Sequence, residues 1–326
     1  MDTPTPIRAL VTGAAGFVGR WLLPALQAEG VAVTGLALDT PTWAARPTPG
    51  AVPPVTWRIG DLRDPRYVAD VVAGTRPDWV IHLAGMSHLP TAAADPAAAW
   101  DINVTATARL LHELDRLRSG GGADPVVLII GSAEQYGRQE TGETPITESA
   151  PQLPRTVYAA TKAAQELLAF QCGRASGLRV IAARSFNHSG GGQESRFLLP
   201  ALVSRALALR SAPAGTPLTV GNTTPIRDFL HVSDVVAAYI SLLRAGTPGE
   251  AYNVASGVGR SVAEVVAHVL ERTGVPAPVH QDPALVRPVD VPALVGDAHK
   301  LQQTTGWRAR RAFDDIIDDL IHAATY

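Results

Sequence analysis

The chain has 326 residues, 46% hydrophobic and 18% charged, with a formal net charge of −2. That is length for about two domains and a full core, without the basic stripe that nucleic-acid or membrane-surface partners leave. Cys172 is the one cysteine, which excludes an intrachain disulfide and a cysteine-held zinc.

No apolar run reaches the ~18 residues of a spanning helix, and Met1–Pro6 lacks the regions of a signal peptide, so a cytoplasmic protein is expected. In chain order, Ile7–Thr12 is a short apolar run, and Phe17–Glu29 places Val18, Leu22 and Leu26 on one helical face. Apolar runs follow at Val31–Leu36, Val55–Ile59 and Trp79–Leu83, with a helix starting after Asp64. A helix is predicted over Ile102–Arg118, a strand over Val126–Gly131, a helix over Thr156–Ala175 and a strand over Arg179–Arg184. Continuous rather than alternating apolar runs mark strands covered on both faces, and their alternation with helices predicts an α/β, doubly wound parallel sheet. Helices over Val232–Leu243, Val262–Thr273 and Phe313–Ala323, broken by Gly- and Pro-containing stretches, read as a smaller α/β cap. The expected division is 1–185 and 186–326, with about 225–255 returning to the main sheet. The Pro- and Ala-rich tract Thr40–Pro54 reads as a surface loop.

Gly13, Gly16 and Gly19 follow the first strand and open the first helix, around Phe17 and Val18. The first glycine allows a tight turn, the second lets a pyrophosphate approach the backbone, and the third lets helix and strand pack closely. The helix N-terminus adds free N–H groups and a positive dipole end. An acid at the end of the second strand would suit the ribose of NAD(H); Ala37 stands there, with Asp39 two residues on and Arg46 beyond. NAD(H) and NADP(H) both stay open, Asp39 weighing for NAD(H).

Tyr158 and Lys162, at i and i+4, point to one side of a helix. An ammonium there can lower the phenol pKa, and a tuned phenol can exchange a proton with a carbinol oxygen. Ser132, at the end of the strand Val126–Gly131, faces the ligand crevice of such a sheet.

The glycine turn with Ser132, Tyr158 and Lys162 resembles the extended short-chain dehydrogenase/reductase family over nearly the whole chain, and so implies a Rossmann-type sheet with a smaller C-terminal substrate-binding domain. The resemblance implies that Lys162 also holds the nicotinamide ribose and that Asp61 and Leu62 touch the adenine. It makes Leu83, Ala84 and Gly85 the fourth-strand motif, with Gly85 where alanine is commoner, and Asn103 a structural asparagine. The segment from Arg184 to Gln193, containing Asn187 and His188, resembles the R-x-F-N-H-x-G-P-G-Q loop of GDP-mannose dehydratases and GDP-4-keto-6-deoxy-mannose reductases. Gly191 replaces its proline, so a more mobile loop is expected. Arg227-Asp228-Phe229 and the segment from Arg287 to Asp290 resemble motifs whose arginines bind the nucleotide diphosphate and whose second acid binds the nucleotide ribose. Two arginines can neutralise a diphosphate by charge-assisted hydrogen bonds.

The resemblance implies NAD(P)H-dependent reduction of a GDP-4-keto-6-deoxy-sugar at C4 in deoxysugar biosynthesis. Rivals are a GDP-mannose 4,6-dehydratase, with Glu134 as its extra base, another nucleotide-sugar epimerase or dehydratase, and a non-catalytic dinucleotide-binding regulator. Leu36–Asp39 lacks the arginines that dehydratases carry there, which favours the reductase; Ala133 argues against dTDP-glucose dehydratase chemistry. The resemblance also implies a homodimer through the helices near Ile102–Arg118 and Thr156–Ala175; these carry Leu110, Leu111, Leu114, Leu167, Leu168 and Phe170, and since one face of each helix must pack on the sheet, only the surplus apolar surface can serve a partner. His82 reads as structural, Cys172 as a buried small apolar residue, and Trp21, Trp43, Trp57 and Trp100 show no stacking pattern. No metal-ligand spacing is present.

Overall fold

The computed structural model describes residues 6–45, 54–138, 145–286 and 291–325. Its first half runs β1 (Arg8–Thr12), α1 (Phe17–Ala28), β2 (Ala32–Ala37), β3 (Thr56–Ile59), α2 (Pro65–Thr75), β4 (Trp79–His82), α3 (Leu89–Ala94), α4 (Pro96–Trp100), α5 (Ala106–Ser119), β5 (Val126–Ser132), α6 (Val157–Ser176) and β6 (Arg179–Ser185). The second half runs β7 (Asn187–Ser189), α7 (Leu198–Ala208), β8 (Leu218–Val220), β9 (Ile226–His231), α8 (Val232–Ala245), β10 (Ala251–Val254), β11 (Gly259–Ser261), α9 (Val262–Thr273), β12 (Val279–Gln281), β13 (Ala293–Leu294), α10 (His299–Thr305) and α11 (Phe313–Thr325).

Among the described residues, seven strands form one parallel sheet in the order β10-β6-β5-β4-β1-β2-β3. Strand periodicity explains how both faces are filled. Ala9 and Val11 point to one side, into a cluster with Leu22, Leu23 and Leu26 of α1 and Val235, Tyr239 and Leu242 of α8. Leu10, Val80, Val127 and Ile129 point to the other, against Val68, Val71 and Val72 of α2 and Leu110, Leu111 and Leu114 of α5. The strand order reverses between β1 and β4, and in such a sheet the ligand crevice opens at the strand ends beside that point.

The helix ends follow local chemistry. Asp64 caps α2, Thr156 caps α6, and Ser261 with Glu264 forms a capping box on α9. The predicted helix over Ile102–Arg118 instead begins as one π turn, Asp101–Thr105, before α5. Such turns are frequent at functional sites.

Beyond β6, β10 joins the large sheet by pairing with β6, α8 packs on α1, β5 and β6, and α10 packs on β10 and α8 with Leu301 in the same core. β9, also within the stretch expected to return, does not: it pairs with β7, β11 and β13 in a second, small sheet. A separate core of Leu199, Leu202, Val203, Val265, Val266, Val269, Ile316, Ile317 and Leu320 joins α7, α9 and α11.

Candidate active site

A cleft of about 1210 Å³ lies across the carboxyl ends of the sheet strands, between them and α7. Pockets for one small molecule commonly measure roughly 300–1,000 Å³, so this one exceeds the ordinary single-ligand size. It brings together Gly13, Gly16, Phe17, Val18, Gly19, Asp39, Asp61, Leu62, Leu83, Ala84, Gly85, Ser132, Glu134, Tyr158, Lys162, Asn187 and Arg227. Arg287 and Asp290 lie outside the described residues.

The glycine turn has the geometry an anion needs. Gly13 has φ +65°, and a Cβ there would sit 2.7 Å from the backbone nitrogen of Ala84. A Cβ on Gly19 would sit 2.1 Å from the carbonyl oxygen of Ala14, so only glycine lets α1 lie this close. Gly16 is exposed and caps α1 with no side-chain bond, leaving the first N–H groups of the helix to the cleft. This turn fits a dinucleotide pyrophosphate. Gly85 is explained as well: a Cβ there would approach Asn103 Oδ1 at 2.9 Å and Lys162 Nζ at 3.5 Å.

Asp39 stands exposed two residues past the end of β2, at the cleft wall. The Asp61 carboxylate is clasped by Arg63, at 2.9 Å from Nε and 2.6 Å from a terminal nitrogen, and that bond holds it below the usual carboxylate range. Trp43 touches the glycine turn, a contact that its place in the sequence does not announce. Its indole donates to the carbonyl of Ala15 in the glycine turn at 3.2 Å and meets Trp57 edge-on at 5.9 Å. Trp21 likewise meets His231 edge-on, so Trp21, Trp43 and Trp57 make edge-to-face contacts rather than stacks. The tract expected to be loop holds a 3-10 turn at Thr42–Ala45, and 46–53 of it lie outside the described residues.

Ser132 ends β5, and Tyr158 and Lys162 rise one turn apart on α6; all three are buried. Burial pushes the Tyr158 phenol up to about 12, a hydrogen bond with Ser132 pulls it back in part, and the nearby charge of Glu134 adds to the rise. The expected lowering of Tyr158 by Lys162 is not observed. The ammonium instead donates to the carbonyl of Ile130 at 2.7 Å and to Gln165 Oε1 at 2.9 Å, while burial pushes it down to about 8. Glu134 lines the cleft from the turn after β5, and its N–H donates to Ser132 Oγ at 3.2 Å.

Asn103, inside the π turn, accepts from the N–H of Met86 at 2.7 Å and donates to Thr161 Oγ1 at 2.8 Å, tying the segment after β4 to α6. His82 is structural in geometry, fully buried between the hydroxyls of Thr12 and Thr107, and burial with the Lys162 charge pushes it down to about 3. Cys172 is half-buried against the α2–α5 core.

On the opposite wall, Arg227 is buried and donates to the carbonyls of Ile226 at 2.9 Å and Val291 at 2.7 Å. Its neighbour Asp228 turns away and takes bonds from Ser256, Gly257 and Gly296. A plain Arg–Asp surface pair is therefore not what this motif forms. The Gly190–Gly192 loop is tethered rather than loose. The N–H of Gly191 donates to Asp319 Oδ2 at 2.6 Å and its carbonyl accepts from Trp21 Nε1 at 3.1 Å. The proline found in similar loops has no N–H to make the first bond. His188, next to this loop, stacks on Phe17 of the glycine turn at 6.3 Å.

A sequence model of the family described as GDP-mannose 4,6 dehydratase matches residues 10–320. The chain belongs to that family, within the extended short-chain dehydrogenases/reductases. It is 35% identical over 301 residues to the GDP-6-deoxy-D-mannose reductase of Pseudomonas aeruginosa, covering 92% of this chain and 91% of that one. The solved structure of RMD from Pseudomonas aeruginosa complexed with NADPH superposes with a TM-score of 0.80 at 31% identity, over 98% of this chain and 100% of that one. The UDP-glucose 4-epimerase of Thermus thermophilus, complexed with NAD, superposes at 0.84 with 27% identity, over 97% and 98%.

Proposed function

We propose that this protein is a nicotinamide-dependent reductase that converts the C4 ketone of a GDP-4-keto-6-deoxy sugar to the alcohol. The carrying observation is the buried set of Ser132, Tyr158 and Lys162, the lysine one turn along α6 from the tyrosine, in a cleft larger than an ordinary single-ligand pocket. The kinship with the GDP-6-deoxy-D-mannose reductase supports the choice of substrate class. A bound reduced nicotinamide supplies a hydride. Ser132 and Tyr158 offer their hydroxyls to the ketone oxygen, and Tyr158 gives its proton to that oxygen as negative charge grows there. The Lys162 ammonium favours the phenolate left behind.

The glycine turn, with Phe17 and Val18, takes the pyrophosphate of the dinucleotide; Asp61, Leu62 and Leu83 to Gly85 line the rest of its path. NADH and NADPH both fit this reading, with the Asp39 carboxylate favouring NADH. Asn187, Arg227, Arg287 and Asp290 would hold the sugar nucleotide, so residues 1–185 serve mainly the dinucleotide and 186–326 the substrate. The protein works as a cytoplasmic homodimer.

Glu134 favours one second reading, the 4,6-dehydratase, because it places a carboxylate in the cleft near Tyr158. Incubation with a GDP-4-keto-6-deoxy sugar and NADH or NADPH separates the two. The reductase consumes one reduced dinucleotide per sugar. Conversion of GDP-mannose to its 4-keto-6-deoxy product, without net consumption of dinucleotide, would replace it with the dehydratase.

A further inference from the structure

Behind Lys162 a run of buried hydrogen bonds reaches from α6 to the glycine turn. Lys162 Nζ donates to Gln165 Oε1, and Gln165 Nε2 donates to Thr107 Oγ1 at 2.8 Å. His82 Nε2 lies 2.8 Å from the same hydroxyl, and His82 Nδ1 lies 2.7 Å from Thr12 Oγ1. Thr12, His82, Thr107 and Gln165 are all fully buried. Counting hydrogens gives the run a direction. The single hydroxyl hydrogen of Thr107 goes to the carbonyl of Asn103 at 2.8 Å, and a carbonyl can only accept. Thr107 Oγ1 therefore accepts from both Gln165 and His82. His82 carries its hydrogen on Nε2, and its Nδ1 accepts from Thr12, whose oxygen accepts from the N–H of Ala84 at 3.2 Å. Turning the Gln165 amide over would set NH₂ against the ammonium and an acceptor against a hydroxyl whose hydrogen is already given.

We infer that Gln165 is a positioning residue for Lys162, its carbonyl aimed by Thr107 and His82 so that the ammonium stays charged and in place with one N–H left for the reaction. Both observed acceptors of Lys162, Ile130 O and Gln165 Oε1, are neutral. The titratable groups around the ammonium are His82 from β4 and Tyr158 from the preceding turn of α6, with Glu134 acting on Tyr158 from the turn after β5. An ammonium in so dry a site leans on each acceptor it has. The catalytic meaning of this role rests on the proposed reductase; the hydrogen-bonding role does not.

The chain contains two lysines, Lys162 and Lys300, and Lys300 pairs with Glu250 on the surface. Protein grown on isotope-labelled lysine therefore gives two side-chain NMR signals, one of them an internal reference. Gln165→Met keeps the length of the side chain and removes the acceptor. The Lys162 midpoint should then fall by about one pH unit, as loss of a hydrogen bond to a charged group implies. Gln165→Glu should raise it, and the alkaline limb of the kcat profile should move with it in each variant. If Gln165→Met does not fold, Gln165→Glu carries the test alone. A Lys162 midpoint within about 0.3 units of wild type in the folded variant overturns the role. A shifted midpoint in a protein that does not reduce the keto sugar would uphold Gln165 and refute the reductase.

Discussion

Tyr158 sits where burial alone would keep its proton on, and only Ser132 pulls the other way. Tyr158→Phe keeps the ring and loses the transferable proton, so turnover should fall roughly 10²–10⁴-fold while dinucleotide affinity, read by fluorescence titration, stays put. Activity within threefold of wild type would remove Tyr158 from the chemistry. Glu134→Gln keeps the shape and removes the charge that raises Tyr158. Hydride delivery to C4 needs no deprotonation at C5, so a reductase should keep most of its kcat; collapse of turnover would point to the dehydratase. His82 makes a prediction about stability. Its folded pKa, about 3, lies below the ordinary imidazole value of 6.5. Between those values the unfolded chain binds a proton that the folded one refuses, so stability is lost as pH falls through that window, by at most about 1.4 kcal/mol per pH unit. His82→Gln offers Thr12 an acceptor and Thr107 a donor without titrating. Urea unfolding of this variant should depend less on pH across that window, and an unchanged slope would contradict the neutral buried imidazole.

At the scale of elements, α6 shows how a local pattern gathers buried polar side chains. Tyr158, Lys162, Gln165 and Glu166 recur at steps of four, three and one and are buried on α6, facing the sheet where apolar residues would be expected. That run of polar side chains was visible in the sequence, and it is the signal that could have found Gln165. Trp43 had no comparable signal, because its partners Ala15 and Trp57 are distant in sequence and meet it only once β2 lies between β1 and β3. The glycine turn allows a direct test. Gly19→Ala would drive a Cβ into the Ala14 carbonyl and force α1 away from the turn. Overpacking of this kind costs roughly 1–3 kcal/mol, so melting temperature should drop and dinucleotide affinity should weaken by about tenfold or more. Unaltered binding and melting would show that close approach of helix and strand is not what this glycine provides.

For the whole molecule, burial decides which apolar side chains of the two helices remain for a dimer partner. Leu110, Leu111 and Leu114 are buried against the large sheet and cannot meet a partner. Leu168 and Phe170 are partly buried against the same core. Leu167 on α6, 67% exposed, and Trp100 on α4, 43% exposed, are the large apolar side chains left facing outward in this region. If α5 and α6 pair across a two-fold axis, Leu167→Glu should shift the protein from dimer to monomer in light scattering at micromolar concentration, since a charge buried without a partner is costly. A wild-type monomer under those conditions would refute the dimer.

The sequence by itself determined what depends on neighbours in the chain. Period and continuous apolar runs specified the parallel sheet and its helices, because strands covered on both faces leave no polar side. The spacing of Gly13, Gly16 and Gly19, and of Tyr158 and Lys162, specified the turn and the polar face of α6, because both are local in the chain. Only the tertiary structure decided what depends on packing between distant segments. It set the direction of the Lys162 ammonium, the rise of the Tyr158 pKa under burial, the tether of Gly191 to Asp319, 128 residues away, and the side of α5 that its leucines cover. Desolvation and hydrogen-bond partnership arise from three-dimensional neighbours, and no reading along one chain direction supplies them.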